Sequence, residues 1–440
     1  MTVAATERVG GTERAGGTER NDVVTTPHVT TSSAYRDVRS ASRRIAAPLH
    51  PEDCIIQSMP DASPVRWHLA HTTWFFETFL LKPVAGYRPV HPDFEYLFNS
   101  YYNAVGVQYP RDRRGLLSRP TMDAIWDYRE EIDRRMVDLI DRGDFDPALL
   151  AVGLNHEQQH QELMLTDVKH MLGCNCLYPA MFDRPPAVAE PPPPGRIRVD
   201  QGIRAVGGPT DGFSFDNEHP RHERLIHGCE IDTRLTTNGE YLTFVEDGGY
   251  DRPDHWLSAG WATVTDQGWR QPLSWVRRDD QWFEFTLSGL VPLDPDGVLT
   301  HVSYFEADAY ARWRGAMLPT ETQWEAAVAD DRPQAHRGID LLRDYPGVCH
   351  PVHTPPPPEG ELSGVFGGVW QWTRSDYDAY PGYRPPPGAV GEYNGKFMCG
   401  CYVLRGGSCA TPPGHSRLTY RNFFHPAARW QFAGIRLAWD

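Results

Sequence analysis

The sequence predicts two units of different class: an α-helical bundle, then an α+β unit built of short strands and long loops. Three observations carry that reading. Residues 33–184 run in stretches whose apolar positions recur every three and four residues. Residues 185–195 hold PP and PPPP, a stiff polyproline connector. Beyond it Gly, Trp and Pro become frequent and the apolar runs shorten, the pattern of an irregular β-rich or α+β domain. A chain of 440 residues also exceeds what one ordinary core organises. The expected boundaries are a disordered tail over 1–32, a bundle over 33–184, the linker, and a second domain over 196–440. The tail repeats GGTER and offers little to bury.

In the bundle, a first helix is expected from Ser33 to Leu49. Ser63 and Pro64 open a second, VRWHLAHTTWFFETFLL, which carries His68 and His71. A third begins near Thr121. There Ile125, Tyr128, Ile132, Met136 and Leu139 form an apolar stripe that belongs to the core. The fourth contains LNHEQQHQEL, with Asp146 as its cap, Pro147 in its first turn and Gly173 at its end. Four helices with one long crossing loop read as a four-helix bundle, a fold that builds metal sites between facing helices. The crossing loop, FNSYYNAVGVQYPRDRRGLLSRP, is long and polar, and such loops carry function. It clusters Arg111, Arg113 and Arg114, whose planar forks suit a carboxylate. In the second domain helices are expected over Ser303–Arg314 and around Thr322–Val328.

His156 and His160 stand four apart. On a helix both imidazoles lie on one face, a turn apart, at the separation one metal ion needs. One of His68 and His71 is the candidate third ligand. Glu157 follows the first histidine as in the zinc-protease pattern H-E-x-x-H, where it would serve as carboxylate base. The pattern alone does not separate a zinc hydrolase from another two-histidine site. Three imidazoles suit iron(II) as well as zinc.

Composition narrows the classes. Hydrophobic residues make up 40% and charged residues 23%, ordinary for a globular enzyme. A formal net charge of -15 argues against a nucleic-acid binder. No run has the length of a membrane span, and the N-terminus lacks the apolar core of an export signal. The eight cysteines include the C-x-C pairs Cys174/Cys176 and Cys399/Cys401, neither a disulfide nor a zinc-ribbon framework. The expectation is a cytoplasmic enzyme of small molecules, with reduced thiols and no nucleic-acid or membrane partner.

Five motifs of the second half, NGEYLTFVEDGGY, VSYFEADAYARWRGAMLPTETQWEAA, FGGVWQWT, LRGGS and FAGIRLA, occur in this order. Together they resemble the formylglycine-generating-enzyme, or sulfatase-modifying-factor, domain, a variant of the C-type lectin fold. WHLAH followed by NHEQQHQE resembles the DinB-like metal-binding bundle. Fused in this order, with YYNAVG, LNHEQQHQELML and YRNFFHP alongside, the two resemble the sulfoxide synthases of ergothioneine biosynthesis.

That resemblance implies an iron(II)- and dioxygen-dependent enzyme. It would join the sulfur of γ-glutamylcysteine, or of cysteine in some members, to the imidazole C2 of hercynine, giving a sulfoxide. The implied iron ligands are His71, His156 and His160, and the implied acid is Tyr377. Hercynine carries a trimethylammonium group that cannot donate a hydrogen bond, so aromatic faces should recognise it. Tyr380, Phe423 and Phe424 are the candidates, with Asn422 and Gln159 for polar contacts. Arg111, Arg114 and Arg429 are the expected cations for the thiol substrate's carboxylates, with His425 contributing; Arg436 reads as scaffold. The copper-binding cysteines of formylglycine-generating enzymes are not evident, because Cys409 has no close partner in the string. That departure argues against a protein-modifying reaction. An inert lectin-like binding module would leave the three histidines unexplained as a set.

Overall fold

The computed structural model describes residues 31–184, 189–209, 211–330, 349–353 and 361–440. The expected tail falls outside these residues but for its last two, as do residues 185–188 of the expected linker.

Helix α1 spans Ser32–Ala46 and α2 spans Val65–Phe76, which a π-helical turn continues over Glu77–Leu81. The short α3 (Phe94–Phe98) lies in the crossing segment, and α4 (Met122–Arg142) and α5 (Pro147–Gly173) complete the bundle. Both α1 and α2 pack on α4 and α5. Every residue of α2 is buried, polar as well as apolar, because the other helices wrap it. The α4 stripe from Ile125 to Leu139 faces the core, and the helix stops at Gly143, whose φ of 72° is the left-handed cap that glycine adopts freely. The Asp146 carboxylate accepts from the backbone N–H groups of Ala148 and Leu149, and Pro147 occupies the first turn of α5.

The second domain is a set of small sheets. Strands β1 (Arg196–Val199), β4 (Cys229–Asp232) and β12 (Ala438–Trp439) form one, so the last strand closes on the sheet that the first begins. Strands β2 (Gly202–Val206) and β3 (His222–Ile226) form a hairpin-like pair. Strands β5 (Trp275–Arg278), β6 (Gln281–Thr286) and β7 (Gly289–Pro292) form a meander. The largest sheet runs β10 (Asn422–Phe424), β9 (Tyr402–Arg405), β8 (Trp370–Asp376) and β11 (Ala433–Gly434). Its β8–β9 register is irregular between Trp372 and Asp376. The two helices expected here are α8 (Tyr304–Trp313) and α9 (Glu321–Asp330), but α6 (Asn238–Glu246) and α7 (Ser258–Gln267) precede them. Helix α6 opens with a reciprocal capping box between Thr237 and Glu240, a pattern its T-N-G-E string carries.

One hydrophobic cluster runs from Tyr35 in α1 to Leu437 in the second domain, so the two units share a core. They meet along α5. The buried Glu162 carboxylate accepts from Trp370 Nε1, Ser408 Oγ and Thr411 Oγ1 of the second domain. Arg436 is scaffold, donating to Gln371 Oε1 and to the carbonyls of Asp232 and Ser363. Among the described residues no helix is long and apolar enough to cross a membrane.

Candidate metal centre

Helix α2 brings His71 and α5 brings His156 and His160 to one point, where one nitrogen of each lies within 4.8 Å of the others. Close approach of the two helices makes this possible. Gly153 of α5, one turn before His156, faces the rings of Phe75 and Phe76, and a Cβ there would stand 2.7 Å from Phe76 Cε1. The imidazoles are buried, His71 completely. Burial, with the neighbouring histidines, pushes His71 and His160 well below the usual histidine range. Burial likewise lowers His156 to about 3, against the pull of Glu157. Three neutral imidazoles are ligands rather than cations.

Hydrogen-bond counting says which nitrogen is free. His71 Nδ1 lies 2.6 Å from the Phe98 carbonyl, which only accepts, so the proton is on Nδ1 and Nε2 keeps its lone pair. That lone pair faces His156 Nε2 at 3.1 Å. His156 Nδ1 is buried without a hydrogen-bond partner among the described residues. These donors have needs the polypeptide does not meet, which a divalent metal would. Trp67 and Trp74 flank the His71 ring, nearly parallel to it, at centroid distances of 4.6 and 5.5 Å. His68, the other histidine of α2, is not in the group: its Nδ1 lies 2.8 Å from His160 Nδ1.

The second domain covers this point with polar groups. Gln159, between the two α5 histidines, donates to Tyr420 Oη at 2.6 Å and accepts from the Tyr393 hydroxyl. Tyr420 in turn lies 3.3 Å from His415 Nε2, and His415 Nδ1 lies 3.1 Å from Asn155 Oδ1. The Tyr393 ring stands edge-on to His156 at 5.7 Å and stacks on Phe215. Burial, with Tyr101 and Tyr420, holds the Tyr393 hydroxyl well above the usual tyrosine range, so it stays protonated.

Glu157 is not available as a base. Its carboxylate points into the bundle, bound by Arg39, Arg129 and Ser42. This corrects the protease-like reading of the motif: the spacing is present but the glutamate is structural.

Of the expected cations, Arg114 is buried, donating to Ser63 Oγ and Ser100 Oγ, with its guanidinium 3.3 Å above the Trp67 ring that stacks on His71. No ion pair joins Arg114 to a carboxylate among the described residues, and burial, then Arg111, pushes its pKa well below the arginine value. Arg111 is exposed and donates to the Asp61 carbonyl. Arg429 is a correction: its charge is already matched by the fully buried Glu306 at 3.2 Å, and it stacks on Trp269. Tyr377 is a second. It is buried, its oxygen accepts from Asn217, and its ring stacks on Phe423 at 4.0 Å, in a small cluster with Cys401 and Val403. No described contact joins it to the histidines, and Tyr393 holds the position expected of it. Tyr380 is engaged by Glu321 and lies beneath Arg421. Asn422 accepts from the Phe423 N–H, Phe424 packs on Trp430, and the exposed His425 lies 3.1 Å from the Gly400 carbonyl. Contacts thus link Gln159 to the histidines through Tyr393 and Arg114 through Trp67, and leave the β10 residues in their own packing. Cys409 does have a neighbour, Cys349, with sulfurs 3.9 Å apart. Both are 2% exposed.

Tyr393 and His415 carry no local signal of a site role, and Tyr420, though it opens the motif YRNFFHP, was not singled out. Asp167 was also missed, although it follows His160 by seven on α5 and so shares its face.

The fold and this centre define a class: a helical bundle that holds three histidines, capped by an α+β domain that supplies hydroxyl and amide groups to them. Residues 34–164 match the DinB superfamily, and residues 182–440 match the sulfatase-modifying factor enzyme 1-like domain. "Hercynine oxygenase" of Mycolicibacterium smegmatis is 31% identical over 421 residues, covering 87% of this chain and 92% of that protein. The Mycobacterium tuberculosis protein of the same name is 31% identical over 414 residues, with the same coverage of 87% and 92%. "Ergothioneine biosynthesis protein 1" of Schizosaccharomyces pombe is 26% identical over 231 residues, 51% of this chain and 27% of that one. The chain belongs to the hercynine oxygenase family.

Proposed function

We propose that the chain is an iron(II)- and dioxygen-dependent sulfoxide synthase of ergothioneine biosynthesis, joining the thiol of γ-glutamylcysteine to C2 of the hercynine imidazole. The observation that carries it is the buried group of three neutral imidazoles, with Glu157 withdrawn, in a chain of this family. Ligand type alone would admit zinc. A zinc hydrolase of the H-E-x-x-H kind, however, uses that glutamate as its base, and Glu157 is tied into two ion pairs.

His71, His156 and His160 would hold the iron, which when bound supplies dioxygen activation and a place to gather both reactants. Arg114 holds a carboxylate of the thiol substrate: a buried guanidinium that makes no ion pair among the described residues, with Asp167 acting on it only at longer range, is completed by one. Tyr393 keeps a proton beside the histidines and gives it up as acid, oriented by Gln159. The Trp67 and Trp74 faces keep the His71 ring in place and exclude water from it.

The test is anaerobic reconstitution with iron(II), then addition of oxygen, hercynine and either γ-glutamylcysteine or cysteine. The expected product is the sulfoxide by mass spectrometry. The dipeptide should be preferred by about tenfold or more, since one charge-assisted hydrogen bond is worth about 1.5–3 kcal/mol. His71→Ala, His156→Ala and His160→Ala should each lose stoichiometric iron. Full iron retention in all three, or no carbon–sulfur product with either thiol, overturns the reading.

A further inference from the structure

We infer that Asp167, acting through His68, dictates which nitrogen of His160 carries the proton, and so presents His160 Nε2 to the metal; this rests on the three-histidine site proposed above. Neither Asp167 nor His68 is a ligand in that reading. Both are positioning residues.

The chain of contacts is short and buried. Asp167 Oδ2 accepts from the Ser63 N–H at 2.8 Å and lies 3.0 Å from His68 Nε2. Its other oxygen accepts from Trp430 Nε1 at 3.0 Å. His68 Nδ1 then lies 2.8 Å from His160 Nδ1. Asp167 is 5% and His68 2% exposed, so water does not substitute for these partners.

Hydrogen counting fixes the polarity. An ionised carboxylate only accepts, so the His68 nitrogen facing Asp167 is the one that bears hydrogen. We take His68 to carry that single N–H, which leaves its Nδ1 with a lone pair. His160 Nδ1 must then donate to it, and the lone pair of His160 is on Nε2. Without Asp167 nothing selects this tautomer, and the other one would turn an N–H toward the metal. Metal-ligating histidines commonly have their second nitrogen fixed by a carboxylate or carbonyl. Here His71 meets a carbonyl directly, while His160 meets a carboxylate through an interposed imidazole.

The contacts also span the domains. Trp430 comes from the second domain and orients the carboxylate on which the arrangement turns. The lectin-like domain thereby reaches a ligand that lies wholly within the bundle.

Two measurements test this. Nitrogen-15 NMR of the metal-free protein with labelled histidine should find His160 protonated on Nδ1 and bare on Nε2. A His160 proton on Nε2, or His68 protonated on both nitrogens, overturns the proposal without any metal present. Iron(II) affinity, by anaerobic competition with a chelator, gives the second. In His68→Gln the amide N–H can face Asp167 and the carbonyl can accept from His160, so affinity should stay within a few-fold of the wild type. His68→Leu can do neither and should bind about 10–100-fold more weakly. Equal losses in both would make His68 a ligand, and no loss in His68→Leu would make it inert; either overturns the inference. Should His68→Leu fail to fold by circular dichroism, Asp167→Asn replaces it, and wild-type affinity there overturns the inference equally. Iron retained in His71→Ala instead marks failure of the underlying site, which the tautomer measurement does not depend on.

Discussion

Glu157 follows His156 in the chain, yet the helix turns it away, into Arg39, Arg129 and Ser42. Burial alone would raise its carboxyl, but Arg129 and then Arg39 outweigh burial and hold it at about 2, below the 4.5 of a free glutamate side chain. A depressed carboxylate stabilises the fold above its unfolded pKa. That stability is lost as pH falls from about 4.5 toward about 2. Glu157→Gln should therefore flatten the acid limb of a urea-midpoint-against-pH curve. At neutral pH it should cost about 3–5 kcal/mol, because buried Arg129 loses its carboxylate partner and Arg39 is left with Asp133 alone. An unchanged acid limb would place the linkage elsewhere. Tyr393 carries the sharper chemical expectation. Tyr393→Phe keeps the ring edge-on to His156 and removes only the hydroxyl. Iron content should hold, and oxygen uptake should continue. Product should shift from sulfoxide toward oxidised thiol, read by mass spectrometry beside an oxygen electrode. The same substitution at Tyr377, whose contacts are with Asn217 and Phe423, should leave the product ratio unchanged.

At the scale of the element, α5 is the member on which the centre is built. It supplies two of the three histidines, Gln159 toward the second domain, and Glu157 into the bundle. A helix presents successive residues about 100° apart, so one ten-residue stretch faces three environments at once. Gly153 sets how near α5 comes to α2. Replacing it with alanine adds helix propensity of about 1 kcal/mol but puts a methyl 2.7 Å from Phe76. Overpacking costs about 1–3 kcal/mol. The clash wins, because Phe75 and Phe76 are both fully buried and cannot swing away. Gly153→Ala should lower the urea midpoint and weaken iron binding about tenfold, since it moves His156 from His71. Wild-type iron affinity in that variant would show that the helix spacing has slack.

At the scale of the molecule, disturbing the domain seam at Glu162 should affect turnover more than metal, because the three histidines lie in α2 and α5. Glu162 takes three hydrogen bonds from the second domain. Glu162→Leu leaves the Trp370, Ser408 and Thr411 donors without their acceptor, at about 1–3 kcal/mol for each that stays buried. Iron stoichiometry should hold, because all three histidines lie in α2 and α5. Sulfoxide turnover should fall, because Tyr393 and Tyr420 are held by the other side of the seam. Loss of iron in step with turnover would instead make the second domain part of metal binding itself.

The helical periods, the cap at Asp146, the polyproline break and the two-His spacing are local, so the sequence by itself determined the bundle and its histidine pair. Local patterns also carry the motifs that placed the second domain in its class. What only the tertiary structure decided is every choice between residues far apart in the chain. His71 rather than His68 meets the α5 pair, because the Phe98 carbonyl and Asp167 select their orientations. Tyr393 rather than Tyr377 reaches the centre, because it packs on Phe215 and Gln159 while Tyr377 turns into Phe423. Arg429 is neutralised by a glutamate more than a hundred residues away, whereas Arg114 is buried beside Trp67 and makes no ion pair among the described residues. Such choices depend on which side chains become desolvated together, and packing across the seam, not spacing along the chain, sets that.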